Sequence, residues 1–108
     1  MSVACASTTC ASWMAIVENS ATLEVTVGWI ADLQVNLRGG GGFQTVASEE
    51  GDFSFAPGLN TLGEDICYDF SPDTQRVRVR LRFDATGHNC NPQGTSGSID
   101  PCDAPALT

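Results

Sequence analysis

The chain has 108 residues, of which 42% are hydrophobic and 17% charged, and its thirteen acidic residues against five basic ones give a net charge of −8. This length fits a single domain, placed at 1–108, and the hydrophobic content excludes a disordered chain. The acidic balance argues against binding to nucleic acid or to anionic membranes, and no apolar run is long enough to span a membrane.

The first third of the chain predicts an irregular arm followed by three strands. Residues 1–12 show neither the strand period nor the helix period, so we predict an arm that a disulfide ties down. The apolar run 13–18 predicts a short packed strand. Alternating apolar and polar residues predict two further strands at 22–27 and 31–37, with Gly28 ending the first.

A hairpin is predicted next. The runs 43–47 and 52–56 are strand-like, and the segment 48–51 between them has the composition of a turn. The glycine run 39–42 that precedes this hairpin predicts a flexible tip. Phe43 would be exposed there and could contact a partner.

The segment 75–83 is the clearest strand of the sequence because every second residue changes character. One side carries Val77, Val79, Leu81 and Phe83, which must be buried. The other side carries Arg76, Arg78, Arg80 and Arg82, called the arginine row below. A turn at 71–74 would join this strand to another at 65–70.

That hairpin would place three residues of the preceding strand opposite the arginine row. The expected pairs are Asp69 with Arg76, Cys67 with Arg78 and Asp65 with Arg80. Together with Glu24, these aspartates would balance the positive charge of the row.

From residue 89 onward, proline and glycine residues break both periods, so 89–108 is predicted to be an irregular tail. About seven short strands without a helical period predict an all-β fold. We expect a small antiparallel β-sandwich stabilised by disulfides, with a small β-barrel as the alternative.

Three short motifs resemble one motif of the βγ-crystallin type. They are Phe43 after the glycine run, Gly51-Asp52-Phe53, and Glu64-Asp65 ahead of a strand. The resemblance covers about a third of the chain and implies a fold used by calcium-binding proteins and by microbial toxins or inhibitors. This sequence departs from the motif at Tyr68 and Asp69, where Ser/Thr and Ser are required, so a βγ-crystallin-like fold is kept only as an alternative.

The five cysteines favour disulfides over a metal site, since the chain has no Cys-x-x-Cys pair and one histidine. They are Cys5, Cys10, Cys67, Cys90 and Cys102. The expected bridges join Cys90 to Cys102 and Cys67 to either Cys5 or Cys10, and the odd thiol would allow a disulfide-linked dimer. No metal or cofactor is predicted.

Disulfides form in oxidising compartments, so we expect a secreted, extracellular protein. The N-terminus lacks the basic and apolar regions of a signal peptide, which suggests a mature form.

The arginine row has two interpretations. Guanidinium groups bind sulfate, phosphate or carboxylate with paired hydrogen bonds, so the row could bind a polyanion or glycan. The simpler interpretation is a solvated strand face, balanced by nearby acids, and it is the one that we favour.

No residue is predicted to be catalytic. The sequence therefore favours a non-catalytic secreted binding protein, of the effector, toxin or inhibitor kind, that engages a protein or glycan through loops or through the arginine row. The alternative is a small secreted hydrolase that uses a carboxylate pair, with His88 as a possible assistant. The candidate acids are Glu49, Glu50, Asp52, Glu64, Asp65, Asp69 and Asp73.

Overall fold

A computed structural model describes residues 1–7, 9–84, 93–97 and 99–100. These residues form seven strands: β1 (Ser2–Cys5), β2 (Cys10–Asn19), β3 (Val25–Leu37), β4 (Phe43–Phe55), β5 (Gly58–Cys67), β6 (Thr74–Asp84) and β7 (Gln93–Thr95). Within these ranges the protein has no helix with the length and apolar character needed to cross a membrane.

The strands form two open antiparallel sheets. The small sheet has the order β1-β2-β5, and the large sheet has the order β4-β3-β6-β7. The core lies between them, where Trp13 of the small sheet meets Trp29 of the large sheet edge to face, with ring centroids 5.5 Å apart. The predicted all-β sandwich is confirmed, and because the sheets stay open the protein is not a closed barrel.

The most regular alternation of the sequence became a strand with one fully buried side. Val77, Val79 and Leu81 of β6 point into the core and are almost fully buried, as predicted. Strand β3 lies beside β6 and contributes Ala31, Leu33 and Val35 to the same core. Burial of such side chains contributes about 1.5–3 kcal/mol each, which is the main stabilisation of the fold.

Two predicted strand breaks do not exist. Residues 25–27 of the first predicted strand and the whole of the second, 31–37, belong to one strand, β3, whereas residues 22–24 precede it outside any strand. The predicted hairpin 43–47/52–56 is one strand, β4, which ends at Phe55. Gly51 does not turn the chain; it makes room for a side chain, because a Cβ there would lie 2.9 Å from Cζ2 of Trp29.

The predicted pairing of the segment 65–70 was also wrong. Residues up to Cys67 belong to β5, which begins at Gly58 and pairs with β2, not with β6. Gly58 has a positive φ of 98°, which a glycine adopts without steric cost. This residue follows Pro57 directly and is the first of β5.

Both chain ends are more regular than predicted. The supposed arm 1–12 contains β1 and the start of β2. In the supposed tail 89–108, β7 extends the large sheet next to β6, and Ile99 forms a bridge with Val77. Residues 89–92, 98 and 101–108 of that tail lie outside the described residues.

A disulfide joins Cys10 to Cys67, which is one of the two partners expected for Cys67. The two residues face each other directly on β2 and β5, on the outer face of the small sheet. Cys5 is also disulfide-bonded. The expected bridge between Cys90 and Cys102 lies outside the described residues.

Candidate functional site

The arginine row lies on the outer face of the large sheet, because the alternate residues of β6 fill the core. Its neighbours across the ladder belong to β3, not to the segment 65–70. The register places Asn36 opposite Arg76, Gln34 opposite Arg78, Asp32 opposite Arg80 and Ile30 opposite Arg82. The predicted partners Asp65 and Asp69 are therefore wrong, since the strand that carries Asp65 belongs to the small sheet.

Asp32 is the centre of this face. Its side chain is 3% exposed, although it lies on the outer side of the sheet. One carboxylate oxygen, Oδ2, accepts hydrogen bonds from Nη2 and Nε of Arg80, at 2.8 and 3.1 Å, and from Nε of Arg82, at 3.1 Å. The other, Oδ1, accepts a hydrogen bond of 2.7 Å from the hydroxyl group of Ser48 on β4.

These contacts keep Asp32 ionised. Burial by itself raises the pKa of the Asp32 carboxyl group, but hydrogen bonds from Ser48, Arg80 and Arg82 favour the charged form and hold the pKa below its ordinary value. The carboxylate therefore acts as a fixed anion that orients two guanidinium groups, each still more than one third exposed.

Arg78 is held in a different way. Its Nε donates a hydrogen bond of 2.8 Å to Oε1 of Gln34, and its guanidinium carbon lies 3.9 Å from the centre of the Phe43 ring. Gln34 is held in turn by Thr45, because Nε2 of Gln34 donates a hydrogen bond of 3.2 Å to the hydroxyl oxygen of Thr45. Within the described ranges, no carboxylate contacts Arg78.

Phe43 is not the freely exposed tip residue that the glycine run predicts. It is half-buried under the guanidinium group of Arg78, at the first position of β4. Gly39 and Gly42 have positive φ angles, so the glycine run forms the turn that returns the chain from β3 to this position. The predicted contact residue is therefore part of the arginine site.

Arg76 marks the outer end of the row. Its Nη1 donates a hydrogen bond of 2.7 Å to Oδ1 of Asp100. The Asp100 side chain is 89% exposed, so this ion pair contributes only a few tenths of a kcal/mol. This ion pair does little to hold the Arg76 guanidinium group in one position.

Among the described residues, the arginine row forms ion pairs with two carboxylates, those of Asp32 and Asp100. Glu50 lies on the same outer face beyond Ile30, at the Arg82 end of the row, so the positive charge is concentrated towards Arg78 and Arg80 on a chain whose net charge is −8. Sequence reasoning found the arginines and Phe43 but missed Asp32, Gln34 and Ser48. The alternating polar positions of β3 were the available signal for the first two.

Two of the predicted acids lie on this face. Glu50 on β4 is exposed opposite Ile30, the residue that also pairs with Arg82, and Asp52 follows opposite Gly28. Glu49 alternates to the other side of β4, and Glu64 and Asp65 are exposed on β5 of the small sheet. His88 lies outside the described residues. In the part of the chain that is described, no three His, Cys, Asp or Glu side chains are grouped so that they could hold a metal ion.

Comparison with known proteins gives no relative. No family model matches the chain, and neither a curated protein nor a solved structure matches it significantly. Inferences about function therefore rest on the residues themselves.

Proposed function

We propose that this is a secreted, non-catalytic binding protein, of the effector, toxin or inhibitor kind, that engages an acidic macromolecule through the arginine row. The observation that carries the proposal is the state of Arg78. Its guanidinium group is oriented by Phe43 and Gln34 and contacts no carboxylate within the described ranges.

An oriented guanidinium group is favourable for recognition because it loses little side-chain freedom on binding. Stacking on Phe43 leaves the edge of the Arg78 group with donors for an anionic oxygen. Arg80 and Arg82 add positive charge beside it, and Asp32 fixes their positions. The face thus offers a row of preorganised donors.

The net charge of −8 limits the kinds of partner that this protein can bind. A strongly acidic protein repels a long polyanion except where the local field is positive, so binding would be confined to this face and sensitive to salt. An anionic group on a glycan or on a protein surface fits such a site. Secretion is supported by the disulfide between Cys10 and Cys67.

The test uses heparin as a sulfated probe and desulfated heparin, which keeps only its carboxylate groups, as the less charged counterpart. We expect the protein to be retained on immobilised heparin at low salt and released as salt rises, with Arg78→Ala weakening the affinity about tenfold, the loss typical of a charged hydrogen-bonding residue. Salt titration on both matrices measures the effect.

Arg38→Ala is the matched control, because Arg38 is the fifth arginine and is exposed in the turn after β3, outside the row. It removes the same charge and should leave retention nearly unchanged. Equal losses in the two variants would show that only net charge matters. Retention that is the same in Arg78→Ala and the unmodified protein would end the proposal.

A further inference from the structure

A second feature lies where the two sheets are open to each other. Strands β4 and β5 are edge strands of different sheets, and no ladder joins them among the described residues. Between them is a cleft of about 260 Å³, called the edge cleft here, lined by Trp13, Trp29, Phe53, Leu62, Asp52 and Glu64 among others. It is separate from the outer face that carries the arginine row.

Trp13, which lines the edge cleft, carries an unpaired hydrogen-bond donor. Trp13 is 1% exposed, and its indole Nε1 is buried without a hydrogen-bond partner in the part of the chain that is described. Buried donors of this kind are nearly always paired in folded proteins, so this N–H group would gain from an acceptor that enters the cleft. Such an acceptor reaches Nε1 only when β4 and β5 move apart, and no ladder between these edges opposes that movement among the described residues.

Two exposed acidic residues border the same cleft. Glu64 lies directly opposite Trp13 on β5, while Asp52 lies at the rim on β4, on the side of the strand that faces away from the core. A ligand in the cleft would therefore meet an acceptor at Glu64, a further one at the rim at Asp52, and the donor of Trp13 once the edges open. Trp29, Phe53 and Leu62 give the cleft apolar walls, beside Thr61 and Gly63.

We propose that the edge cleft binds a neutral carbohydrate unit. A sugar hydroxyl group accepts a hydrogen bond from the indole and donates others to the carboxylates, and the C–H face of a sugar ring packs against aromatic side chains. A small anion would accept from the indole but would be repelled by Asp52 and Glu64. A small cation would satisfy the carboxylates but cannot accept from the indole N–H.

The size of the cleft limits the ligand. Its volume of about 260 Å³ lies just below the range of about 300–1,000 Å³ that is usual for pockets holding drug-sized ligands. One sugar ring fits this space, whereas a bound oligosaccharide would extend beyond the strand edges. We therefore expect weak binding of a single ring, on the order of millimolar.

The test is saturation-transfer NMR together with tryptophan fluorescence. The probes are neutral sugars (glucose, galactose, mannose, xylose and N-acetylglucosamine), glucuronate as the matched anion, and arginine amide as a cation. We expect saturable binding of at least one neutral sugar and weaker binding of glucuronate. Trp13→Phe keeps an aromatic ring but removes the N–H group, and should weaken the affinity about tenfold or more.

Asp52→Ala combined with Glu64→Ala provides a second test, because both residues are exposed and their loss should leave the fold intact. This pair should also weaken sugar binding about tenfold. Glu49→Ala is the control, an exposed acid on the same strand as Asp52 that does not line the cleft. The Glu49→Ala variant should leave the affinity for the neutral sugar unchanged.

Several outcomes would overturn the proposal. They are saturation by none of the neutral sugars, tighter binding of glucuronate or arginine amide, and neutral-sugar binding that survives both the Trp13 and the carboxylate variants. Binding to heparin is measured on the same variants and should be unchanged, so that failure at the cleft and failure at the arginine row can be told apart.

Discussion

The outer faces of the two sheets are covered in opposite ways. On the large sheet, Asp32 lies at the middle of β3 and is only 2% exposed, under the side chains of Arg80 and Arg82. On the small sheet, Ile16 lies in β2, which is also a middle strand, and is 63% exposed. An ionised residue is buried on one face, and an aliphatic residue is in water on the other.

The difference comes from the neighbours on each side. Asp32 has Ser48 on one side and Arg80 on the other, and arginine side chains from β6, whose stems are partly apolar, reach across β3 and cover it. Ile16 has Thr61 as its neighbour on β5, while β1 pairs no further along β2 than Met14. Burial on these faces therefore depends on whether a strand continues on both sides of a residue and on the reach of the side chains that this strand carries.

The two faces also differ in the bond that ties their strands together. On the small sheet this bond is the covalent link between Cys10 and Cys67, and on the large sheet it is the ionic network around Asp32. A disulfide acts mainly on the unfolded chain and is insensitive to salt, whereas an ionic network depends on salt and pH. The predictions below separate these two kinds of stabilisation.

The largest effect is expected on the small sheet. Changing both Cys10 and Cys67 to serine opens a link that spans 57 residues of chain, which should lower the free energy of unfolding by about 4 kcal/mol through the entropy of the unfolded state. Urea unfolding without reductant measures the loss. It should be nearly the same at low and high salt, and a loss below about 1 kcal/mol would contradict the entropic account.

A smaller effect is expected at the centre of the large sheet. Asp32→Asn keeps the shape of the side chain but removes the charge that holds Arg80 and Arg82. Loss of one partner of a fully buried pair costs about 3–5 kcal/mol, but these arginines are more than one third exposed and regain water, so we expect about 2 kcal/mol. Urea unfolding at low and high salt measures it.

Asp65→Asn is the matched control for this change. Asp65 is exposed on the outer face of the small sheet, so the same chemical substitution should alter stability by less than about 0.5 kcal/mol. The cost at Asp32 should shrink at high salt. Similar losses of free energy of unfolding at Asp32 and Asp65 would mean that the ionic network around Asp32 does not stabilise the fold.

The same contrast explains what could be predicted from the sequence. The period of two in 75–83 reports which residues face the core, and this local property survived unchanged in β6. Pairing partners depend on contacts between distant segments. The segment 65–67 therefore looked like a hairpin partner of the arginine row, but its strand pairs with β2.

For the same reason, only the part of the candidate site that lies on β6 was predicted together with its orientation. Alternation places Arg78 and Arg80 on one face, but it does not show that Asp32 lies across the ladder or that Phe43 returns beneath Arg78. The turn predicted at Gly51 was wrong because a glycine can also leave room for a neighbouring side chain, here the indole ring of Trp29. Such a role is visible only after the strands are paired.

The smallest predicted effect is a pH dependence confined to the large sheet. The pKa of Asp32 in the folded protein is lowered, so the unfolded chain, with an ordinary value of about 3.9, binds its proton first as pH falls. The stabilisation from Asp32 is therefore complete above that value and is lost as pH falls through the lower folded pKa.

Asp32→Asn isolates this contribution from those of the other acids. The difference in free energy of unfolding between the unmodified protein and the variant should be constant above about pH 5 and should shrink as pH falls below the ordinary value of about 3.9. Urea unfolding across this range measures the difference at each pH. A difference that stays constant to the acid limit would mean that Arg80 and Arg82 do not stabilise the ionised form, and the buried network would then be a matter of packing alone.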